Sequence, residues 1–202
     1  HLQVEITNAC NLRCATCHRN LIYPKPAMMS YETFKKIFDE VKPEKINVSG
    51  LGEPFLHPEV FKIIKYAKQS GAVVNCATNF TRVRDRIDEL IDSGIDQLKV
   101  SIDAANRETF YKIREQDNFD MVVASIKELN EKKKECRLKK PDLRFNYALQ
   151  RENIDELLDT IKLAHSLNIK AMYIQYLEYI DREDRKKRLV ADLAPEKIKS
   201  VL

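Results

Sequence analysis

The chain has 202 residues, 44% hydrophobic and 33% charged, which suits one globular domain with a sizeable core. Its formal net charge of +4, from 35 basic and 31 acidic side chains, is too mild to imply nucleic acid or a membrane surface as partner. No apolar run is long enough to span a bilayer, no secretory leader is visible, and the 5 cysteines are too clustered for a disulfide framework, so a reducing cytoplasm is expected.

The first predicted strand, 2–7, reads LQVEIT, with Leu2, Val4 and Ile6 opposing Gln3, Glu5 and Thr7. It runs directly into CNLRCATCH, which holds Cys10, Cys14, Cys17 and His18. A helix over 31–42 leads to a strand over 45–49, where Ile46 and Val48 alternate with Asn47 and Ser49. SGLGEP (49–54) follows that strand. The helix over 58–70 starts near Pro58, a residue tolerated in a first turn, and stops at Gly71. The third strand, 72–79, closes on Thr78 and Asn79, and a helix over 82–93 stops at Gly94. In the fourth strand, 97–103, Leu98, Val100 and Ile102 alternate with Gln97, Lys99, Ser101 and Asp103.

A helical pattern over 107–136 is broken near Asp117–Asn118, and Phe119, Val122, Val123, Ile126 and Leu129 mark its core stripe. The fifth strand, 143–149, alternates Leu143, Phe145, Tyr147 and Leu149 with Arg144 and Asn146. Asn153 and Glu156 form a capping-box pattern for a helix over 153–167. A sixth strand, 171–177, and a helix over 195–202 complete the series. The charged runs 131–140 and 181–188 read as solvated faces or linkers. The chain opens inside an alternation and stops inside a helix, so residues 1–202 are expected to be a core domain excised from a longer chain.

Serial βα units predict parallel strands joined by crossover helices. Parallel strands covered on both faces should be apolar throughout, yet these alternate. The expected fold is therefore α/β, a partial (β/α)6 TIM-type barrel whose concave face is polar. Its site belongs at the carboxyl ends of the strands, where the cysteine loop and SGLGEP lie.

Three metal readings suit the cysteine loop. Zinc needs four ligands, and adjacent Cys17 and His18 would both have to face one ion. CATCH matches a haem-attachment pattern but leaves Cys10 unused. An iron–sulfur cubane takes thiolates as its ordinary ligands, and three of them leave one iron open to an exogenous molecule.

C-x-x-x-C-x-x-C after the first strand resembles the radical S-adenosylmethionine (SAM) enzymes. SGLGEPFLHP resembles that family's glycine–glutamate motif, TNF its T-N-G, and VSIDA its S-x-D. LQRENIDEL, 149–157, resembles members with a C-terminal auxiliary-cluster (SPASM) domain, and the molybdenum-cofactor cyclases are a related branch. Two positions depart from the pattern. Thr16 stands where an aromatic residue is frequent, and Phe80 stands where T-N-G has glycine.

The resemblance implies a [4Fe-4S] cluster on Cys10, Cys14 and Cys17. It implies reductive cleavage of SAM to a 5′-deoxyadenosyl radical that abstracts hydrogen from a peptide, protein or small-molecule substrate. It further implies an electron donor such as flavodoxin or ferredoxin. Gly50 and Gly52 would let backbone approach the methionine amino group, and Glu53 would face that cation; Glu53 is equally an ordinary first-turn acid. Ser101 would meet the SAM carboxylate or ribose and Arg114 the SAM carboxylate, although Arg114 also reads as a surface arginine. Thr78, Asn79 and Asn146 would contact methionine or ribose, or serve only as strand-end polar groups. Asp103 would shape the ribose pocket or merely end its strand.

A Glu5–Lys99 ion pair is expected behind the cluster. Cys76 reads as a core thiol and Cys136 as an unpartnered helix residue; His57 and His165 read as helix-boundary and helix residues. Tyr147, Tyr173 and Tyr176 read as packing, and Gln175 as facing the cavity. The competing reading, from another class, is a non-enzymatic iron–sulfur or zinc binding domain with a fourth protein ligand.

Overall fold

The computed structural model describes residues 1–23 and 25–177. The helix expected over 195–202 and the charged run 181–188 lie outside the described residues. The strands are β1 (Leu2–Val4), β2 (Lys45–Val48), β3 (Val73–Thr78), β4 (Gln97–Ser101), β5 (Asp142–Leu149) and β6 (Met172–Tyr176). Between them run α1 (Arg19–Ile22), α2 (Tyr31–Val41), α3 (Val60–Gln69), α4 (Ile87–Asp92), α5 (Arg107–Arg114), α6 (Phe119–Glu135) and α7 (Leu157–Ser166).

All neighbouring strands are parallel, and their spatial order is their sequence order, β1-β2-β3-β4-β5-β6. Crossovers of constant hand that always step in one direction place every helix on the same face of the sheet. The sheet is thus a partial (β/α)6 barrel, not a doubly wound sheet, in which the strand order reverses.

The alternation read from the sequence is realised residue by residue. In β5, Leu143, Phe145, Tyr147 and Leu149 are buried against the helices, while Asp142, Arg144, Asn146 and Ala148 turn to the concave face. In β4, Leu98 and Val100 are wholly buried and Gln97, Lys99 and Ser101 are half-buried. One apolar core joins Ile46, Val74, Leu98 and Phe145 of the sheet to Phe34, Ile63, Leu90 and Val122 of the helices. Cys76 belongs to it, as expected of a core thiol.

Local chemistry sets the element ends. The Ser30 side chain accepts the Thr33 N–H and starts α2. Asn106 does the same for Thr109 at α5. Gly71 and Gly94 follow α3 and α4 in the left-handed region, with φ of 85° and 73°. The predicted break in the long helix falls at 115–118, between α5 and α6.

Three expectations differ. The first strand ends at Val4, because residues 6–8 turn away to bond residues 27–29: Met29 N–H donates to Ile6 O at 2.8 Å and Asn8 N–H to Ala27 O at 3.2 Å. Asn153 makes no capping box. Its amide is buried and donates to Asp103 O and Ala148 O, both at 2.9 Å, while Glu156 accepts from Ala105 N–H at 3.1 Å. Tyr176 is 66% exposed, so it is not packed among the described residues, whereas Tyr147 is buried and donates to Asn153 O at 2.7 Å.

The far end of the barrel is tied by Asp96. Its carboxylate accepts Val74 N–H at 2.8 Å, Lys68 Nζ at 2.6 Å and the exposed Lys140. Burial alone would raise its pKa, but the hydrogen bonds from Lys140, Lys68 and Val74 hold it below the ordinary value. Stability from this group is therefore full above the unfolded carboxylate pKa of about 3.9 and is lost as pH falls through the lower, folded value. Asp96→Asn should cost about 1–2 kcal/mol near neutral pH, with Lys140's exposure limiting the effect. Urea unfolding at neutral pH and at pH about 3 checks this: the variant should lose less stability on acidification than the parent.

Candidate functional site

The cysteine loop is fastened at several points. The 27–29 segment closes its base, Ala15 N–H donates to Ile113 O of α5 at 3.0 Å, and Leu12 is buried beneath it. Each thiol receives a donor. Leu12 N–H lies 3.4 Å from Cys10 Sγ, Arg19 N–H 3.5 Å from Cys17 Sγ, and Arg114 Nη1 3.6 Å from Cys14 Sγ. Asn79 Nδ2 also faces Cys10 Sγ, at 3.8 Å.

These cysteines open onto a cavity of about 240 Å³ at the carboxyl ends of the strands. The structure brings all the sequence-predicted site residues to its wall: Cys10, Cys14 and Cys17 from the loop, and Gly50, Gly52 and Glu53 after β2. Thr78 ends β3 and Asn79 follows it, Ser101 ends β4 and Asp103 lies two residues beyond, Asn146 comes from β5, and Arg114 from α5. Leu12, Leu51, Ala77 and Ala148 also line it, and no sequence signal marks them. Their apolar side chains carry no chemistry, so only position identifies them.

Two buried carboxylates organise the walls. Glu53 is 2% exposed, and its oxygens accept Thr78 Oγ1 at 2.7 Å, Asn79 N–H at 2.7 Å and Phe55 N–H at 3.1 Å. Burial pushes its pKa up, against those hydrogen bonds. Asp103 pairs with Arg114 and accepts Ala148 N–H at 2.7 Å. Burial opposes the Arg114 cation, but Asp103 and Cys14 more than offset it, so Arg114 stays charged. Burial also raises the Cys10 and Cys14 thiols, with Arg114 pulling Cys14 back down.

Asn11 holds Asn79 in place. It accepts from Asn79 Nδ2 at 3.1 Å and donates to Thr81 Oγ1 at 2.8 Å. Phe80, at the glycine position of T-N-G, keeps a left-handed backbone with φ of 61° and buries its ring completely. That conformation costs a side-chain-bearing residue roughly 1–2 kcal/mol, which burial of the ring offsets. Thr16, at the other departure, lines the cavity.

Two sequence-based expectations are corrected. Glu5 and Lys99 do not pair: Glu5 accepts the Leu51 and Gly52 N–H groups and the Tyr23 hydroxyl, while Lys99 Nζ lies 4.8 Å from the Tyr173 ring centroid. Tyr173 is therefore more than packing; it is 37% exposed on the concave side. His57 sits at a helix boundary as expected, and there it is buried and bridges Met29 O at 2.7 Å and Glu59 N–H at 3.1 Å. Gln175 shares the register of Ala148, which puts it on the concave face as expected.

The glycines have a reason that the sequence did not show. A Cβ on Gly52 would sit 2.0 Å from Thr7 O, and one on Gly50 would sit 2.3 Å from Glu5 Oε1. Gly52 is required where the loop after β2 packs on backbone of the segment after β1, whereas at Gly50 the obstruction is the Glu5 side chain. Gly52→Ala should therefore destabilise the protein without any cofactor, by about 3 kcal/mol or more, because the obstructing atom is backbone. Thermal unfolding of cofactor-free protein checks this; an unchanged midpoint would refute it.

Comparison with known proteins supplies the family. A sequence model described as the Radical SAM superfamily matches residues 4–164. The chain is 29% identical over 186 residues to the tungsten-containing aldehyde ferredoxin oxidoreductase cofactor-modifying protein of Pyrococcus furiosus, covering 88% of this chain and 51% of that protein. It is 33% identical over 189 residues to the AdoMet-dependent heme synthase of Methanosarcina barkeri, covering 89% and 51%. A probable GTP 3',8-cyclase of Saccharolobus islandicus is 28% identical over 180 residues, covering 86% and 55%. The chain thus spans about half the length of these relatives. In fold it is similar to Streptococcus suis SuiB bound to S-adenosylmethionine, with a TM-score of 0.73 at 12% identity, covering 89% of this chain and 41% of that one. It is also similar to anSMEcpe with bound AdoMet, with a TM-score of 0.71 at 18% identity, covering 92% and 56%.

Proposed function

The chain belongs to the radical SAM superfamily of enzymes, and from that premise we propose that Cys10, Cys14 and Cys17 hold three corners of a [4Fe-4S] cluster whose fourth corner takes SAM. The observation that carries this reading is the convergence of three thiols, each facing an N–H donor, on the cavity that Glu53, Asn79, Ser101, Asp103 and Arg114 also line. A structural zinc site takes four ligands, whereas three thiolates at three corners of a cubane leave the fourth corner open.

When bound, the reduced cluster and SAM together supply a carbon radical able to take hydrogen from an unactivated position of a substrate. The residues supply placement and dryness. N–H donors at the sulfurs favour thiolate over thiol. The Glu53 carboxylate offers a fixed anion for the SAM amino group, held by Thr78 and Asn79. Arg114, already charged and buried, stands ready for the SAM carboxylate, and Ser101 and Asn146 present neutral polar groups to its ribose.

The substrate reading is a peptide, protein or small molecule, with SPASM-like members as the nearest pattern. One similar structure, Streptococcus suis SuiB, is bound to a precursor peptide, SuiA. We read residues 1–202 as the core of a longer chain with an auxiliary C-terminal domain, served by a flavodoxin or ferredoxin in the cytoplasm. No helix among the described residues is long and apolar enough to cross a membrane.

Anaerobic reconstitution tests the ligand set. Cys14→Ala should lose most bound iron and sulfide and any SAM-induced change in the spin-resonance signal. Cys76→Ala, in the core, should keep both. Equal loss in the two variants would overturn the assignment.

A further inference from the structure

The concave face carries a second polar feature, below the cavity. Register places Ala77, Lys99 and Arg144 side by side on β3, β4 and β5. Ala77 lines the cavity, whereas Lys99 and Arg144, its register partners, lie outside the cavity wall. Ser101 and Asn146, one pleat above Lys99 and Arg144, line the cavity too. The row therefore lies about 7 Å deeper, two strand residues down.

Two cations on adjacent strands repel, and a sheet ordinarily avoids that arrangement. Here both pack on Tyr173 of β6, with Lys99 Nζ 4.8 Å and the Arg144 guanidinium 5.7 Å from its ring centroid. Arg144 also donates to the Tyr173 hydroxyl and pairs with Asp142 at 2.7 Å. Lys99 has no carboxylate partner among the described residues. Glu5, the partner expected from the sequence, has both oxygens engaged by Leu51, Gly52 and Tyr23. The row thus holds one neutralised cation, one uncompensated cation and a phenol, facing the same lumen as the reaction cavity.

We propose that Lys99, Arg144 and Tyr173 bind an oxyanion group of the substrate, a carboxylate or a phosphate, in the barrel lumen one pleat below the cavity. The inference rests on the radical SAM reading and deepens it by naming the substrate's charge. Lys99 supplies the charge, and Arg144 and Tyr173 supply oriented donors. The substrate's reacting carbon is then set about 7 Å from its anionic end, two strand residues apart along the sheet.

Equilibrium dialysis of the full-length protein, with its cluster reconstituted and SAM saturating, tests this with labelled succinate and labelled pyrophosphate as carboxylate and phosphate probes. One of the two should bind the parent protein, and which one binds identifies the source of the oxyanion. Lys99→Met should weaken that binding by about tenfold or more, as expected for loss of a charged donor, and Lys99→Arg should restore most of it. Lys134→Met, on a remote basic surface, should bind like the parent. If Lys99→Met does not fold, Lys99→Gln and Arg144→Lys carry the same expectation. Binding of neither probe to the parent, or binding to Lys99→Met equal to that of the parent, would overturn the site. The SAM-induced spin-resonance change is recorded on the same parent samples. Its absence defeats the radical SAM reading, whereas its presence without probe binding defeats this site alone.

Discussion

The buried pair between Arg114 and Asp103 is the contact on which the site depends. Arg114 is on α5, Asp103 is at the end of β4, and both are nearly out of solvent. A lone buried charge is costly, and breaking such a pair commonly costs about 3–5 kcal/mol. Neither side chain can therefore leave without the other finding a substitute. Through this pair the cysteine loop is fixed as well, because Arg114 also donates to Cys14 and because Ile113, its neighbour, accepts from Ala15. Asp103 in turn accepts the Ala148 N–H of β5. One ion pair thus joins the loop, two strands and a helix around the cavity. A bound carboxylate would be the natural substitute partner for Arg114.

Glu53 plays the matching part on the other wall. It accepts from two groups at the end of β3 and from its own turn, and its N–H donates to Ala9 O beside the first cysteine. Glu5, behind it, accepts the backbone of Leu51 and Gly52. These carboxylates do with hydrogen bonds what regular structure does elsewhere: they satisfy the backbone N–H groups of loops that no strand partner reaches. The glycines at 50 and 52 make the close approach sterically possible.

The concave face also explains why the barrel is incomplete and polar at once. Helices cover only one side, so every second strand residue must tolerate water, cofactor or substrate. Carboxamides at Asn47, Asn75 and Gln97 form one row across the sheet. The cationic row above it is electrostatically unfavourable by itself, as functional positions often are when judged by folding alone.

The sequence by itself determined the strand–helix series, the parallel sheet and its polar face, because those follow from local periodicity and from connection length. It also placed most of the predicted cavity residues near a strand end or in an adjoining loop, with Asn146 within β5 and Arg114 on the helix after β4, and the barrel then gathered them. Only the tertiary structure decided which of these groups meet. Arg114 meets Cys14, 100 positions away in sequence, because α5 packs beside the loop, and it pairs with Asp103 in the same place. Glu5 serves Gly52, not Lys99, because β1 pairs with β2 and the loops above them touch. Asn153 was legible as a cap but is a strut, since burial between β4 and β5 demands partners that helix capping does not supply. Periodicity assigns a residue to a face, but which partner it finds there depends on strand register and helix docking, which arise only when distant segments pack.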